Sequence, residues 1–392
     1  MKRRPIVRYT VAAAVAGVAA TRSITPQGKL LRIAPDSALG QTAADAPSDS
    51  TSSDSTSDPA STVRWRIATS YPKLLDLLYG AVELFCQRVS ELTDGRFVIT
   101  PYPAGDIVPA LEVLDAVSQG TIECGHTFST YYIEQSPALA FSAGVPFGFT
   151  AQQQSAWLYE GGGLEAIRRV YQRFNVINFP AGNTGAQMGG WFQREIQRTS
   201  DFKGLKMRIS GLAGQIMSRL GAEIKMLAAD EIVQAFVQGE VEAVELTGPY
   251  DDSKLGLHKA ARFYYYPAWW QPSESVDVII NLEQWNQLSP QFQKVIEIAA
   301  IEANILTLAK YNAGNTKMLQ RLKAEGVQLK SLNTEILEAA EQATFAFYED
   351  IASRDPEFSQ VYQPWKTFRD RIYQWHRINE LSFANFAFTH DA

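Results

Sequence analysis

Arg208 is the residue whose setting most plainly invites chemistry. It lies in Lys206-Met207-Arg208-Ile209, a short strand pattern after Gly204, and a guanidinium held by a strand presents two parallel donors that match a carboxylate. The same residues fit a solvated arginine paired with a neighbouring acid. Catalytic constellations are missing from the chain. His126, His258, His376 and His390 are scattered, and none has a second histidine three to five residues away, so no zinc-hydrolase helix is encoded. There is no Gly-x-Ser-x-Gly elbow, no phosphate loop ending in Gly-Lys-Ser/Thr and no dinucleotide fingerprint. Gly161-Gly162-Gly163 before Leu164 can aim amides at an anion, but such a run is more often a turn and helix cap. The residue types favour binding over turnover.

The chain that must position Arg208 has 392 residues, 46% hydrophobic and 20% charged, enough for two ordinary domains with separate cores. A formal charge of -6, a pI near 5.4 and no long Lys/Arg run argue against nucleic acid or anionic lipid held through phosphates. Lys2, Arg3 and Arg4, followed by the apolar run Val11 to Ala20, read as an export signal over residues 1–22, too short to span a bilayer. The arginines ahead of Pro5-Ile6-Val7 fit the twin-arginine route loosely, and an ordinary secretory signal equally well. Export implies the periplasm. Residues 23–62 read as a linker, because Ala46 to Thr62 is almost entirely Ser, Thr, Asp, Ala and Pro. Cys86 and Cys124 stand in no metal-binding spacing; one in an apolar helical pattern and one in a strand pattern, they read as separate buried thiols in preference to a bridge.

From Val63 the pattern alternates strand and helix. Val63 to Thr69, Phe97 to Thr100 and Ile122 to Phe128 read as strands, separated by helices carrying Tyr79, Val82, Phe85, Cys86, Val89 and Leu92, then Leu111, Leu114 and Val117. A second set starts at Val176 to Phe179 and continues through Lys206 to Ile209, Glu223 to Met226 and Ala243 to Glu245, returning through Val276 to Ile280. Such alternation predicts parallel strands covered by helices, and two α/β cores enclose a cleft in which small ligands bind. The boundaries expected are a first lobe over about 63–185 plus later crossing segments, a second over about 186–280, and bridging and C-terminal helices over 289–392. After Ser289-Pro290 an amphipathic stretch through Val295, Ile298, Ile301, Ile305 and Leu308 reaches Gly314 and resumes to Gly326; if continuous it spans about 50 Å and can brace both lobes. Trp365, Phe368, Ile372 and Trp375 form an apolar stripe suited either to packing on the chain's own domain or to a dimer contact.

Lys203-Gly204-Leu205-Lys206-Met207-Arg208 resembles the Gly-Leu-Lys-x-Arg strand of receptors of the tripartite ATP-independent periplasmic (TRAP) transporters. Gly185 to Phe192, Val241 to Asp252 and Tyr264 to Trp270 are similar to the 2-oxoacid-binding branch of that family, and the likeness runs from Trp65 to the C-terminus. The resemblance implies an α/β, two-lobed periplasmic-binding-protein clamshell with a long lobe-bridging helix. It implies a receptor that is no enzyme, taking a 2-oxo monocarboxylate such as pyruvate with a metal ion and delivering it to TRAP integral membrane subunits. Carried over residue by residue, it makes Arg208 the carboxylate clamp and Gln187 a ligand to both solute and metal. Glu245 becomes a metal ligand assisted by the carbonyl of Leu246, and Tyr131 and Tyr132 close over the solute from the first lobe.

Two positions depart from the family. Members carry tryptophan where this chain has Leu246, which implies a wider pocket, and an acid where it has Gln271, which still offers a neutral oxygen to the metal. An all-oxygen site suits a hard ion, and the missing acid favours sodium, with calcium as the alternative. Loss of the metal, with Glu245 as a simple hydrogen-bond acceptor, is a second reading. Rival functions are a dicarboxylate or sugar-acid receptor, which needs a further cationic group, an exported keto-acid enzyme with Glu245 as base and the metal as Lewis acid, and a sensor subunit.

Overall fold

The computed structural model describes residues 62–390; the expected export signal, and the expected linker apart from Thr62, lie outside them. Alternation in Val63–Thr69 builds β1, with Trp65 and Ile67 turned into the core and Arg64 and Arg66 toward water. It pairs in parallel with β2 (Phe97–Tyr102) and β3 (Cys124–Thr127). The sheet is completed by β4 (Val176–Asn183) and by β10 (Ser275–Asn281), antiparallel to both β3 and β4, in the order β2-β1-β3-β10-β4. The second sheet contains β5 (Trp191–Phe192), β6 (Lys206–Arg208), β7 (Glu223–Lys225), β8 (Ala243–Val244), β9 (Phe263–Tyr266) and β11 (Gln328–Ser331), in the order β11-β9-β5-β8-β6-β7. Each sheet with its helices forms one lobe.

Val176 to Phe179 and Val276 to Ile280, the first and last of the second set of strands along the chain, both pair in the first sheet, and β10 makes that sheet mixed rather than parallel. Alternation along a chain marks where strands are, not which sheet they join. The chain crosses between sheets after β4, again after β9, and a third time through the helix Pro290–Ala324.

That helix starts at Ser289, whose hydroxyl accepts the Phe292 amide, with Pro290 in the first turn. It runs unbroken through Gly314, where a Cβ would stand 2.9 Å from Cδ2 of Tyr250, so glycine serves a close approach here. Its buried face is not the expected isoleucine stripe. Val295 is buried, but Ile298, Ile301 and Ile305 are 46%, 43% and 59% exposed, and Phe292, Ile296, Ala299, Ala300, Ala303 and Tyr311 make the packing instead. Alanines let the helix lie close against β4 and the first helix, Asp76–Leu92.

The C-terminal stripe divides. Trp365 is buried against Phe141, Phe149 and Tyr362, and Phe368 packs on Phe149, whereas Trp375 is 58% exposed. Cys86 and Cys124 are both buried free thiols. Among the described residues no helix is long and apolar enough to cross a membrane.

Asp277 is an acid inside β10 and fully buried. Its Oδ2 accepts from the hydroxyls of Ser142 at 2.5 Å and Tyr171 at 3.0 Å, and Oδ1 from the Asn178 amide at 3.2 Å. Burial pushes its carboxyl up to about 6, the three hydrogen bonds opposing. An acid raised by folding contributes stability below its unfolded value of 3.8 that is lost as pH rises toward 6. Urea unfolding is expected to show this loss, at most about 3 kcal/mol, and the difference between pH 4 and pH 6.5 is expected to shrink in Asp277→Asn.

Candidate functional site

The site grows from two adjacent strand ends. β6 and β8 are parallel with Arg208 opposite Val244, and the Glu245 amide donates to the Arg208 carbonyl at 2.9 Å. The last residue of one strand and the first residue beyond the other therefore meet at the carboxyl edge of the sheet, where ligands of α/β folds bind. Arg208 is 1% exposed. Its Nη1 donates to the Glu245 carbonyl at 2.5 Å and lies 3.4 Å from Glu245 Oε2, while Nε and Nη2 donate to the Leu227 carbonyl at 3.3 Å each. Glu245 is equally buried, and its Oε1 has no hydrogen-bond partner.

The two loops that cross between sheets complete the cluster. Gly190 has φ +84°, and a Cβ there would stand 2.7 Å from the Val244 carbonyl oxygen; only glycine lets the first loop press onto β8. This loop brings in Gln187, whose Nε2 donates to Thr184 Oγ1 and Glu274 Oε2, both at 3.1 Å, while its Oε1 has no partner. Glu274, from the second crossing, also accepts from Gln271 Nε2 at 2.7 Å and from the Thr130 hydroxyl of the first lobe at 2.9 Å. One carboxylate thereby links both crossings to the first lobe.

Electrostatically the cluster is short of positive charge. Burial pushes Glu245 up to about 8, Arg208 opposing and Glu274 and Asp252 adding to the rise. Burial likewise raises Glu274 to about 7, against the hydrogen bonds from Thr130, Gln187 and Gln271 and the charge of Arg208. Two buried carboxylates thus share one guanidinium. Asp251 and Asp252, close in sequence, do other work: Asp252 accepts from Trp191 Nε1 at 2.9 Å and the Tyr264 hydroxyl at 2.7 Å, and Asp251 from the Tyr311 hydroxyl of the long helix at 2.5 Å.

Of the residues anticipated from sequence, Arg208, Gln187 and Glu245 are brought together, and Gln271 reaches them through Glu274. Tyr131 is half-buried, its phenol raised by burial with Arg208 opposing and Glu274 and Glu245 adding, which places it in range of the cluster. Tyr132 departs from expectation. Its hydroxyl pairs with Thr127 Oγ1 at 2.9 Å and the Leu114 amide donates to it at 3.3 Å, so it turns into the first lobe. The Leu246 side chain packs in the second lobe's apolar cluster with Trp191, Val244 and Tyr264, leaving its backbone as what it can offer the site. Sequence reasoning missed Glu274, Thr130 and the Leu227 carbonyl. The cue for Glu274 was an acid at the entry to Val276-Asp277-Val278-Ile279-Ile280, a strand otherwise apolar enough to be buried.

The lobes are shut over this cluster. At the rim, Tyr250 Oη and Lys254 Nζ each donate to Asp76 Oδ2 at 3.2 Å. Inside, Tyr71, Leu75, Leu78 and Phe128 of the first lobe pack in one apolar cluster with Ala229 of the second and Tyr311 of the long helix.

Two sheets joined by crossing strands and a bridging helix, closed on a buried arginine and oxygen-rich walls, define a two-lobed solute-binding protein. The family model of the bacterial extracellular solute-binding protein family 7, DctP, matches residues 69–355, and the chain belongs to that family. A monocarboxylate 2-oxoacid-binding periplasmic protein of Nostoc sp. is 56% identical over 325 residues, 83% of this chain and 89% of that one. Among solved structures, a TRAP transporter solute binding protein from Bordetella bronchiseptica is 40% identical with a TM-score of 0.83, covering 84% of this chain and 98% of its own. It is a mixed occupancy dimer with copurified calcium and picolinate in one active site and the other apo. A TRAP periplasmic solute binding protein from Pseudoalteromonas atlantica, with bound sodium and pyruvate, is 30% identical with a TM-score of 0.80, covering 83% and 99%.

Truncating Glu274 to alanine strands donors on Thr130, Gln187 and Gln271. Chemical unfolding is expected to show Glu274→Ala less stable by about 2–4 kcal/mol, with Glu274→Gln, which keeps an acceptor, losing less than half as much.

Proposed function

We propose that this protein captures a 2-oxo monocarboxylate, pyruvate being the simplest, together with a hard cation, and delivers it from the periplasm to TRAP integral membrane subunits. The observation that carries this reading is a fully buried arginine beside two unpaired oxygens, Gln187 Oε1 and Glu245 Oε1. Buried polar atoms without partners cost stability unless something fills them. The names of the Nostoc and Pseudoalteromonas proteins supply the solute class, and the family supplies the extracytoplasmic setting. An export signal at 1–22 accords with that setting.

In this reading Arg208 fixes the carboxylate, with Tyr131 closing from the first lobe. Gln187, Glu245 and the Leu246 carbonyl would hold the ion, with Gln271 close by. The donor set fits a hard ion, because every candidate atom is oxygen and two of them lack partners. Bound there, a cation offsets the excess negative charge of the shut cleft. Gln271 favours sodium, but Glu274 restores the charge that Gln271 lacks, which keeps calcium beside it. Binding, not turnover, is the function, as it is across the family.

Calorimetry on protein freed of bound solute tests this. Pyruvate is expected to bind only with sodium or calcium present, and Arg208→Ala to weaken it at least about a hundredfold, roughly the worth of a charge-assisted bidentate pair. Absence of binding by any 2-oxoacid with either ion overturns the reading.

The C-terminal helices support a second copy of this chain as a partner. Trp375, Ile378, Leu381, Phe383 and Phe388 are 58%, 73%, 50%, 68% and 78% exposed, more apolar surface than an isolated subunit usually presents, and the Bordetella relative is a dimer. Sedimentation is expected to give a dimer that Phe383→Asp combined with Phe388→Asp converts to monomer.

A further inference from the structure

Arg208, Glu245 and the Leu227 carbonyl belong to the second lobe, and Gln187, Gln271 and Glu274 to the crossing loops, so the cluster draws few of its polar groups from the first lobe. Hydroxyls that the first lobe carries nearby are already spent. Thr130 donates to Glu274 at 2.9 Å, Ser70 donates to Thr127 Oγ1 at 2.6 Å, and Thr127 pairs in turn with the Tyr132 hydroxyl at 2.9 Å. Tyr71 is the exception. It is 1% exposed, and among the described residues its Oη is the one buried hydroxyl oxygen without a hydrogen-bond partner. A phenol taken out of water with no acceptor costs stability, and a group of that kind inside a binding cleft calls for something to fill it.

Its position answers to the arginine's. Tyr71 stands two residues past β1, at the carboxyl edge of the first sheet, as Arg208 stands at that of the second. The backbone is held there, the Tyr71 carbonyl accepting from the Ala104 amide at 3.1 Å and the Tyr71 amide donating to Thr69 Oγ1 at 3.3 Å. Edge contacts fix the ring, with centroids 5.5 Å from His126 and 5.2 Å from Phe128, and Phe128 meets Tyr131 in the same way at 5.8 Å. The ring also packs in one apolar cluster with Ala229 of the second lobe, Tyr311 of the long helix and Val276, two residues beyond Glu274. Burial raises the phenol well above its ordinary range, and Tyr131 and Glu274 add to the rise, so the hydroxyl lies within electrostatic reach of the cluster.

We propose that Tyr71 is a solute-binding residue of the first lobe: when the cleft is filled, its hydroxyl donates to an oxygen of the 2-oxoacid head held by Arg208. The assignment rests on the function proposed above and adds a polar contact from the lobe opposite the arginine. Because the phenol gains its acceptor only when solute is present and the lobes are shut, the bond favours the closed, filled state over the closed, empty one.

Tyr71→Phe removes one oxygen and keeps the ring. Calorimetry on protein freed of bound solute, with sodium or calcium supplied, is expected to show pyruvate binding at least about fivefold weaker in the variant, the worth of one buried hydrogen bond. The same factor is expected for 2-oxobutanoate, which shares the head and differs in the tail. Urea unfolding of the solute-free variant is expected to give a midpoint equal to or above that of the unaltered chain, because no hydrogen bond within the protein has been lost. Pyruvate affinity within about twofold of the unaltered protein overturns the role of Tyr71, as does a loss confined to one of the two solutes, which traces to the shape of the pocket. Unaltered protein that binds no 2-oxoacid overturns the proposed function itself, whereas unaltered protein that binds beside an indifferent Tyr71→Phe leaves that function standing and removes only Tyr71 from the site.

Discussion

A single guanidinium buried against two carboxylates is the constraint on which the rest of this structure depends. Charges taken out of water are costly unless each is paired and its hydrogen bonds are filled. Arg208 meets that demand through the carbonyls of Glu245 and Leu227 and the Glu245 side chain. Two acids stand against one arginine, and burial holds the carboxyls of both Glu245 and Glu274 above the usual carboxylate range. Surplus buried acid and unpaired oxygens leave the cluster short of positive charge, and a cation among them would bring the sum nearer neutral.

Placement of the cluster couples binding to shape. Arg208 and Glu245 sit on the rigid carboxyl edge of the second sheet, but Gln187, Gln271 and Glu274 come from the two loops that join the lobes. The crossings are tied to each other as well, the Thr184 amide donating to the Glu274 carbonyl at 2.9 Å. Loops that join the lobes and also supply these side chains cannot shift without displacing them, so the cluster's geometry is tied to how the lobes sit. The long helix works from outside, where the Asp251–Tyr311 bond anchors it to the second lobe and the packed alanines anchor it to the first.

Much of this was legible along the chain, and the exceptions are instructive. Arg208 at the end of a strand, the two α/β cores and a long helix starting at Pro290 could be read from local pattern, though not that the helix continues through Gly314. The buried side of that helix could not. Ile298, Ile301 and Ile305 are the stronger hydrophobes, yet Ala299, Ala300 and Ala303 face the core because close packing against a strand rewards small volume as well as apolar surface. Tyr131 and Tyr132 are adjacent and alike, but one short helical turn sends them to opposite surroundings, one to the charged cluster and one to Thr127. Glu274 escaped notice because a lone acid has no spacing to signal it.

By itself the sequence determined the elements and the chemical types available: strands where apolar residues alternate, helices where they recur every third or fourth position, an arginine and oxygen ligands in place of nucleophiles. These follow from local sterics and hydrophobic periodicity, which act over a few residues. Only the tertiary structure decided that β4 and β10 return to the first sheet, and that Thr130, Gln187, Gln271 and Glu274 converge on one carboxylate cluster beside Arg208. Those contacts join residues up to 144 positions apart; they exist because both lobes must bury their inner faces, and no local preference encodes which distant side chain will be waiting there.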